Sequence, residues 1–514
     1  MFLCLCKHWA YAFAFRACAR VYIIYIRCNT YVLVNKCTKN ALYCLNFLNL
    51  CTRIAKMCYL CTRIYTNNVK YMKKIVTSLA VALAATSAFA GGLLTTTSQN
   101  AHYLRFFSQD ADINLTSLYA NPAGQAFLNK GWHISASAMT AMQSRNITAA
   151  NPAYLLNADG LTSANGTRTF EGDVFAPVIP SFDFAYVQDK WSVSAHFGVV
   201  AGGGTCEFEN GISPLESLVA GLAYTNGLPG YTLDSYMKGK QNYFGLQIGG
   251  TYKILDNLSA YVGVRGVLAS CAYNGYLKTP LLAAVGQGLP AEVIEQGLAL
   301  DCSQSDFGVT PILGIHYSPI KGLDFAAKYE FRTRVGLNNK TTFSPLATGL
   351  IQHPTLGSMV TPILGQFADG QEVRNDIPAM LTLGGQYRPI EGLKVAASWH
   401  YFFDKSAKKF ADKQKTIDGN TMEFMLSAEY KFCKWVAASF SWQNTIYDLK
   451  DSYMSDMDFN MTNHAIGMGV RVYPCNLLSI DLGYMHTFYP ETAVGSSVYS
   501  RTNDVVGLGL NFAF

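Results

Sequence analysis

Apolar and polar residues alternate one by one along many stretches of the chain. In TMEFMLSAEYKF (421–432) one face is entirely apolar, with Met422, Phe424, Leu426, Ala428, Tyr430 and Phe432. The stretches LKVAASWHYFF (393–403) and LDFAAKYEFRTRV (323–335) repeat this pattern. Alternation over about ten residues predicts β-strands with one apolar and one polar face.

The predicted strands are joined alternately by very short turns and by much longer segments. Short turns are predicted at 188–190, 255–257, 318–322, 388–392, 432–434 and 474–476, and the longest connections at 144–180, 202–240, 274–305 and 335–375. Six hairpins, a first strand at about 132–143 and a last strand at about 504–514 give fourteen strands. Short turns at one end, long loops at the other and an even strand number are typical of outer-membrane barrels. The sequence therefore predicts an all-β fold, a 14-stranded antiparallel transmembrane β-barrel.

A soluble β-sandwich gives the same alternation, because it buries its apolar face and exposes the polar one. Strand length, an export signal and the last strand favour the barrel. The last strand, DVVGLGLNFAF, presents Val506, Leu508, Leu510, Phe512 and Phe514 on one face. An aromatic final residue is found in bacterial outer-membrane barrels, so we expect Phe514 to contact the barrel-assembly machinery. The aromatic residues expected at the membrane interfaces are Trp132, Trp191, Trp399, Trp435 and Trp442.

An export signal starts at Met72 rather than at Met1. Two lysines precede the apolar run 75–85, and Ala88-Phe89-Ala90 has the small-x-small pattern of a cleavage site. Residues 72–90 are therefore predicted to be a secretory signal peptide. Residues 1–71 hold nine of the 14 cysteines and no Asp or Glu. We interpret them as a leader that results from a wrongly assigned start codon.

The net charge changes sign when residues 1–90 are removed. This segment holds 12 of the 40 Lys and Arg residues and none of the 34 Asp and Glu residues. The remainder has 28 basic and 34 acidic side chains, a net charge of −6, so no nucleic-acid partner is predicted. The five remaining cysteines are odd in number and scattered, which predicts no disulfide framework. A single Cys206–Cys302 bridge stays open.

Residues 91–130 precede the first strand and do not themselves have the pattern of a strand. They contain the turn Asn121-Pro122-Ala123-Gly124, in which proline fixes φ and glycine permits a positive φ. A barrel of fourteen strands is wider than the filled eight-stranded barrels and narrower than the open porins. We therefore expect 91–130 to fold back as a hatch that plugs the lumen of the barrel 131–514.

With these features the chain resembles the FadL/TodX family of outer-membrane transporters for hydrophobic compounds. The matching segments are Asn121-Pro122-Ala123-Gly124, the preceding SQDADINLTSLY (108–119) and NDIPAMLTLGGQYRP (375–389). The resemblance implies a monomer in the bacterial outer membrane, surrounded by outer-membrane lipids. It further implies passive uptake of long-chain fatty acids or similar apolar molecules without a cofactor. The chain departs from the family where HYLRFFSQD (102–110) replaces an Arg/Gly-rich stretch early in the hatch.

Three groups of residues are candidates for contact with a hydrophobic substrate. The apolar loop 280–300 predicts an outer capture groove, since exposed apolar patches mark binding or association; its residues are Leu281, Leu282, Val285, Leu289, Val293 and Ile294. The hatch contributes apolar residues that serve equally well as anchors to the wall: Leu93, Leu94, Phe106 and Phe107. The resemblance implies a lateral gap where the third strand bends, and glycines mark either a bend or the start of a loop there: Gly198, Gly202, Gly203 and Gly204.

Charged residues on the polar strand faces are expected to point into the lumen. They are Arg265, Lys328, Glu330, Arg332, Arg334, Lys394, Glu423, Glu429, Lys431, Arg471 and Asp481. Most are expected to pair with one another and to hold the hatch. Lys328, Arg332 and Arg334 cluster in one predicted strand and are the candidates for binding a fatty-acid carboxylate, which Arg binds through two hydrogen bonds.

Other classes of function find little support in the sequence. It contains no G-x-S-x-G, H-E-x-x-H or G-x-x-x-x-G-K-[ST] motif, so no enzyme is predicted. The nine histidines lack metal-ligand spacing, and we predict neither a metal site nor a cofactor. The alternatives are a surface adhesin with receptor-binding loops and a general porin.

Overall fold

The computed structural model describes residues 100–225, 227–281, 291–352, 365–456 and 459–514. The strands are β1 Gly131–Ala150, β2 Thr167–Phe170, β3 Asp173–Val187, β4 Trp191–Phe208, β5 Asp234–Leu255, β6 Leu258–Lys278, β7 Leu298–Ile320, β8 Leu323–Glu330, β9 Gly336–Phe343, β10 Glu372–Arg374, β11 Met380–Tyr387, β12 Leu393–Phe402, β13 Met422–Cys433, β14 Val436–Ile446, β15 Asn463–Cys475, β16 Leu478–Phe488, β17 Thr492–Val494 and β18 Ser497–Ala513. The α-helices are α1 Ala101–Arg105, α2 Ser213–Thr225, α3 Ala291–Gln296 and α4 Pro345–Gln352. Short 3₁₀ helices cover Leu115–Ser117, Pro122–Phe127, Pro152–Leu156, Gly365–Phe367, Asp404–Ser406, Phe410–Thr416 and Asp451–Tyr453. None of the helices in these ranges is long and apolar enough to cross a membrane.

All the described strands belong to one sheet that closes on itself. Each strand pairs antiparallel with its neighbours, and β1 pairs with β18 from His133–Ala513 to Ala149–Ser497. Four of the barrel strands, here called staves when counted across such interruptions, are each interrupted into two consecutive segments. These pairs of segments are β2 with β3, β8 with β9, β10 with β11 and β16 with β17. The eighteen strands therefore make fourteen staves, and the predicted 14-stranded antiparallel barrel is confirmed.

The two faces of the wall differ as the alternation predicts. On β7 the outward side chains of Phe307, Leu313 and Ile315 are exposed, whereas those of Thr310 and His316 point inward and are buried. Exposed apolar side chains in such a continuous band require an apolar environment on the outside.

The predicted long loops were partly wrong, because several strands extend far beyond their apolar part. β5 begins at Asp234, β6 ends at Lys278 and β7 begins at Leu298, inside segments that were predicted to be loops. On β7 the outward residues at this end are polar, namely Asp301, Ser303 and Ser305. The alternation of apolar and polar residues stops at this end of β7, although backbone pairing with β6 continues. The sequence pattern therefore predicted a strand shorter than the observed one.

The apolar band makes a testable prediction about its environment. Leu313→Arg places a charge on the outward face of β7, and it should destabilise the barrel in phospholipid vesicles by about 2–4 kcal/mol if the residue faces the bilayer midplane. Ser303→Arg, on the same outward face but beyond the band, should cost much less. Urea unfolding of both variants in vesicles measures the difference. Equal effects would contradict a lipid-facing band at Leu313.

Candidate functional site

Residues 100–128, here called the N-terminal segment, lie inside the barrel. The segment consists of α1 and two 3₁₀ turns, and an asparagine precedes each of them: Asn100, Asn114 and Asn121. Each asparagine side chain accepts a hydrogen bond from a backbone N–H in the first turn, which is the usual role of an N-cap. Each helical turn of the N-terminal segment is therefore capped by an asparagine of the segment itself.

The Asn121-Pro122-Ala123-Gly124 turn is bonded directly to the wall. Thr251 Oγ1 on β5 donates to the Pro122 carbonyl over 2.9 Å, and Ser259 Oγ on β6 donates to the Ala123 carbonyl over 2.7 Å. Asn121 Nδ2 lies 3.0 Å from His316 Nδ1 on β7. Three neighbouring strands therefore hold this turn immediately before β1 begins.

α1 packs against glycines of the opposite wall. A Cβ atom at Gly483 would lie 2.5 Å from the Ala101 carbonyl oxygen and 2.7 Å from Leu104 Cβ. Similar clashes with α1 would arise at Gly467, Gly469 and Gly507, on β15 and β18. At Gly467 and Gly483 the backbone carbonyls of the helix approach the strands too closely for a side chain, and at Gly469 and Gly507 side-chain atoms of the helix occupy that space.

The Arg105 side chain is fully buried between the segment and the wall. Its Nε donates to Asp481 Oδ1 over 2.6 Å, and its Nη1 donates to Glu429. Arg471 also binds both oxygens of Asp481, at 2.8 and 2.6 Å. Two buried arginines thus share one carboxylate, and Glu429 compensates the second charge.

A second ion pair ties the middle of the segment to β12. Lys394 Nζ lies 3.1 Å from Asp112 Oδ1 and 3.1 Å from Glu429 Oε1. Burial alone would raise the pKa of Asp112, but the Lys394 ammonium, together with weaker neighbouring charges, holds this pKa below its ordinary value. Burial lowers the pKa of His102 well below its ordinary value, and Arg471 and Arg105 lower it further. His102 is therefore neutral at physiological pH.

The third polar contact surrounds Tyr119. Lys328 Nζ donates to the Tyr119 carbonyl over 2.8 Å and to Glu330 Oε1 over 2.6 Å. Arg265 binds both oxygens of Glu330, at 2.6 and 2.9 Å. The Arg265 guanidinium and the Lys328 ammonium also lie over the Tyr119 ring, at 4.4 and 4.7 Å from its centroid. Both cations are thus committed to the segment and to Glu330.

A small cavity of about 30 Å³ lies between the segment and strands β8 and β11–β13. Its apolar wall is made by Tyr103, Phe107, Tyr119, Ala120, Met380 and Phe402, and its polar wall by Gln109, Asp110, Lys328, His400 and Glu423. His400 lies between two carboxylates, 2.9 Å from Asp110 Oδ2 and 3.2 Å from Glu423 Oε2. Burial would raise the pKa of Asp110, yet the His400 contact holds it below the ordinary value.

The wall is interrupted between β3 and β4. These strands pair at Asp173–Glu207 and again from Phe182–Phe197 to Val187–Ser192, but residues 174–181 pair with no residue of β4 in the described structure. The unpaired stretch of β3 contains two prolines, which have no N–H to donate. Facing it, β4 carries two more residues than β5 between Val199 and Gly204.

An apolar cluster connects the cavity with this interruption. It includes Tyr103 and Phe107 from the cavity wall, Ile179 from β3 and Val199 from β4. The full cluster is Tyr103, Leu104, Phe107, Met139, Ala141, Val174, Ala176, Ile179, Val199, Met425, Ala465, Met485 and Val505. The arrangement therefore joins an internal cavity to a break in the wall through buried apolar side chains.

The three candidate carboxylate-binding residues do not share one strand, contrary to the clustering expected from the sequence. Lys328 is buried in the lumen and bonded to Glu330. β8 ends at Glu330, so Arg332 and Arg334 lie beyond the strand and are exposed. Arg332 donates instead to the Ser406 carbonyl over 2.8 Å.

Most of the other charged residues predicted for the lumen are buried there. They are Arg265, Glu330, Lys394, Glu423, Arg471 and Asp481, and Glu429 is half-buried; each is in an ion pair or hydrogen bond described above or with a neighbouring strand. Lys431 is the exception, since it is exposed near a short turn and lies over the Tyr473 ring. The strand face no longer decides orientation at such a turn.

The predicted apolar site residues are only partly described. Phe107 lines the cavity, whereas Phe106 is buried under Lys394, whose Nζ lies 4.1 Å from its ring centroid. Leu93 and Leu94 lie outside the described residues, as do Leu282, Val285 and Leu289. Leu281 packs against the cluster formed by the outer loops, and Val293 and Ile294 belong to α3.

The predicted gap glycines all lie within β4 rather than in a loop. Gly202 and Gly204 have φ of 117° and 74°, values that favour glycine, and the register shifts around them. The opposite side of the interruption, with Pro177 and Pro180, was missed by sequence reasoning. The signal that could have found it was two prolines three residues apart at the end of the connection predicted for 144–180, directly before the predicted strand.

The described cysteines and histidines form no further site. Cys206 and Cys302 are both free thiols, so the bridge that the sequence left open is absent. In the described ranges no three His, Cys, Asp or Glu side chains are grouped as a metal site would require.

The fold and site define a closed 14-stranded barrel with an inserted N-terminal segment and an interrupted wall. Among solved structures, the chain is similar to a FadL homologue of Pseudomonas aeruginosa, with 14% identity, a TM-score of 0.57 and coverage of 82% of this chain and 99% of that chain. It is also similar to the toluene transporter TodX of P. putida, with 14% identity, a TM-score of 0.54 and coverage of 83% and 99%. No protein-family model and no curated protein matches the sequence. The resemblance inferred from the sequence is thus confirmed for the fold.

The glycine contacts of α1 predict how the N-terminal segment is held. Gly483→Ala should displace α1, because the added Cβ would overlap Ala101 and Leu104. Gly385→Ala is the matched control, since its Cβ would meet only the Phe325 ring at 3.5 Å. Hydrogen exchange of residues 100–128 should speed up in the first variant and remain unchanged in the second. Equal protection in both would show that α1 does not depend on this close approach.

The lowered pKa values of Asp110 and Asp112 predict acid release of the segment. A carboxyl group whose pKa is lowered by folding stabilises the folded state above its unfolded pKa of about 3.9, and this contribution is lost as the pH falls below that value. Pepsin should therefore cut within 100–128 increasingly below about pH 4. Lys394→Met removes the ammonium that lowers the pKa of Asp112, so cleavage should begin at higher pH. Constant protection from pH 7 to pH 2 would refute this explanation.

Proposed function

We propose that the protein is an outer-membrane channel through which hydrophobic small molecules enter by passive diffusion. The observation that carries this proposal is the apolar cluster that joins the internal cavity to the interruption between β3 and β4. A polar solute gains nothing from such a path, whereas an apolar molecule exchanges water for apolar contacts along its whole length.

The path extends upward to the outer loops. Apolar residues of α2, α4 and the loop around Leu281 pack together as one outer cluster. Cys206 on β4 packs against both this outer cluster and the lumenal cluster. The outer loops, including the predicted capture groove at Leu281, would collect the molecule, and Cys206 marks the passage into the lumen.

The N-terminal segment acts in this proposal as the hatch. It fills the lumen with bonded groups, so water and small ions find no open pore, and a substrate is directed sideways into the bilayer. Gly198, Gly202, Gly203 and Gly204 border the gap on the β4 side. In the mature protein, residues 91–130 would form the hatch and 131–514 the barrel, after removal of the signal peptide 72–90. Phe514 would be the contact for the barrel-assembly machinery.

Two observations favour this function over the alternatives. A general porin needs an open aqueous lumen, and the described lumen contains the segment and its ion pairs. An adhesin needs loops that expose their binding residues, whereas Val219, Ala220 and Leu346 of the outer loops are buried against one another. The fold shared with a toluene transporter is in line with apolar cargo.

Closing the gap should abolish uptake. Deletion of Gly202 and Gly203 shortens β4 by the two residues by which it exceeds β5 between Val199 and Gly204, so that β4 can run straight and pair with β3. Bacteria that express this variant should take up radiolabelled toluene at least tenfold more slowly than those with the unaltered protein. Deletion of Leu161 and Thr162, in an outer loop, is the control and should leave uptake unchanged.

The assay needs proof that the barrel has assembled. Resistance of the folded barrel to unfolding by detergent at room temperature supplies it for both deletions. Undiminished uptake by an assembled variant that lacks Gly202 and Gly203 would exclude the lateral route. Equal uptake by cells with and without the unaltered protein would refute hydrophobic transport itself.

A further inference from the structure

Two polar side-chain atoms of residues that line the lumenal cavity make no hydrogen bond within 3.5 Å among the described residues. They are Nε2 of Gln109, a donor, and Oδ1 of Asp110, an acceptor. The two residues are 3% and 2% exposed, and both line the cavity. Buried polar groups are normally satisfied, so a donor and an acceptor on consecutive residues call for a shared partner in the cavity.

The charges around the cavity argue against an anionic partner. Lys328 already binds Glu330 at 2.6 Å, and His400 lies between Asp110 and Glu423. Each cation of the cavity wall is therefore matched by at least one carboxylate. A ligand carboxylate would enter beside Asp110 and Glu423 without a cation of its own, which is unfavourable in a buried site.

Resting on the proposed function, we propose that the cavity binds an uncharged apolar molecule that carries a hydroxyl group. A hydroxyl group is both a donor and an acceptor. It accepts a hydrogen bond from Gln109 Nε2 and donates one to Asp110 Oδ1. The apolar body of the ligand packs against Phe107, Phe402 and Met380.

The size of the cavity fits the polar end of such a ligand. About 30 Å³ accommodates a hydroxyl group or one to two waters, whereas a cavity that binds benzene is about 150 Å³. The ring or chain of the ligand therefore requires a side chain to move. Met380 is suited to this, because methionine is unbranched and has three rotatable bonds.

The experiment compares three probes of similar size: phenol, toluene and benzoate. Equilibrium dialysis with the full protein in lipid nanodiscs, against empty nanodiscs of the same lipid, separates binding from partition into lipid. Phenol should bind about fivefold to tenfold more tightly than toluene, as one or two net hydrogen bonds allow, and benzoate should bind most weakly. Gln109→Met should reduce the phenol preference over toluene to less than twofold. Gln386→Met, a buried lumenal glutamine outside the cavity, should keep the preference.

The comparison in the unaltered protein decides the inference even where a variant fails to fold. Equal binding of phenol and toluene would overturn it and leave hydrophobic transport standing. Tightest binding by benzoate would overturn it as well, because the cavity would then offer a cation to anions. Absence of binding and uptake for all three probes would refute the proposed function and the inference together.

Discussion

Burial of Arg105 is the constraint on which the interior of the barrel depends. Its guanidinium has no exposure to solvent and is compensated by Asp481 and Glu429 on the wall. A buried ion pair contributes little net stability, but removal of one partner costs about 3–5 kcal/mol because a buried charge is left alone. α1 therefore cannot leave its position without leaving two wall carboxylates with less compensation. The segment and strands β13–β16 consequently hold each other in place.

Sequence analysis found the strand segments in which hydrophobicity alternates residue by residue, and it missed the strand segments in which hydrophobicity does not alternate. On β13 the alternation of Leu426, Ala428 and Tyr430 with Ser427 and Glu429 is typical of a barrel wall with an apolar outer face and a polar lumenal face. On β7 the outward residues Asp301 and Ser303 are polar, because that part of the strand rises beyond the apolar band. Backbone pairing between strands continues regardless of side-chain polarity. A pattern of hydrophobicity therefore does not predict strand ends of this kind.

Residues of the candidate site could be predicted only where neighbouring residues in the sequence explain why that residue type is needed. The Asn121-Pro122 turn could be predicted because asparagine and proline themselves favour a turn. The glycines that contact α1 could not be predicted from the sequence. Gly483, for example, is required by its close contact with Ala101, a residue 382 positions earlier in the chain. Arg332 was misplaced because a strand was extended past its end, and alternation then assigned it to the lumen.

For the proposed passage of an apolar molecule, the relative cost of the two exits from the lumen favours the side wall. An exit through the short-turn end must break the hydrogen bonds that Thr251 and Ser259 donate to the N-terminal segment, and must disturb its ion pairs. An exit between β3 and β4 breaks no hydrogen bonds between these strands along 174–181, since the described strands form none there. Ile179 and Val199 border this exit with apolar side chains. An apolar molecule that leaves there enters lipid directly and never has to be solvated by water, so the hydrophobic effect opposes the first exit and not the second.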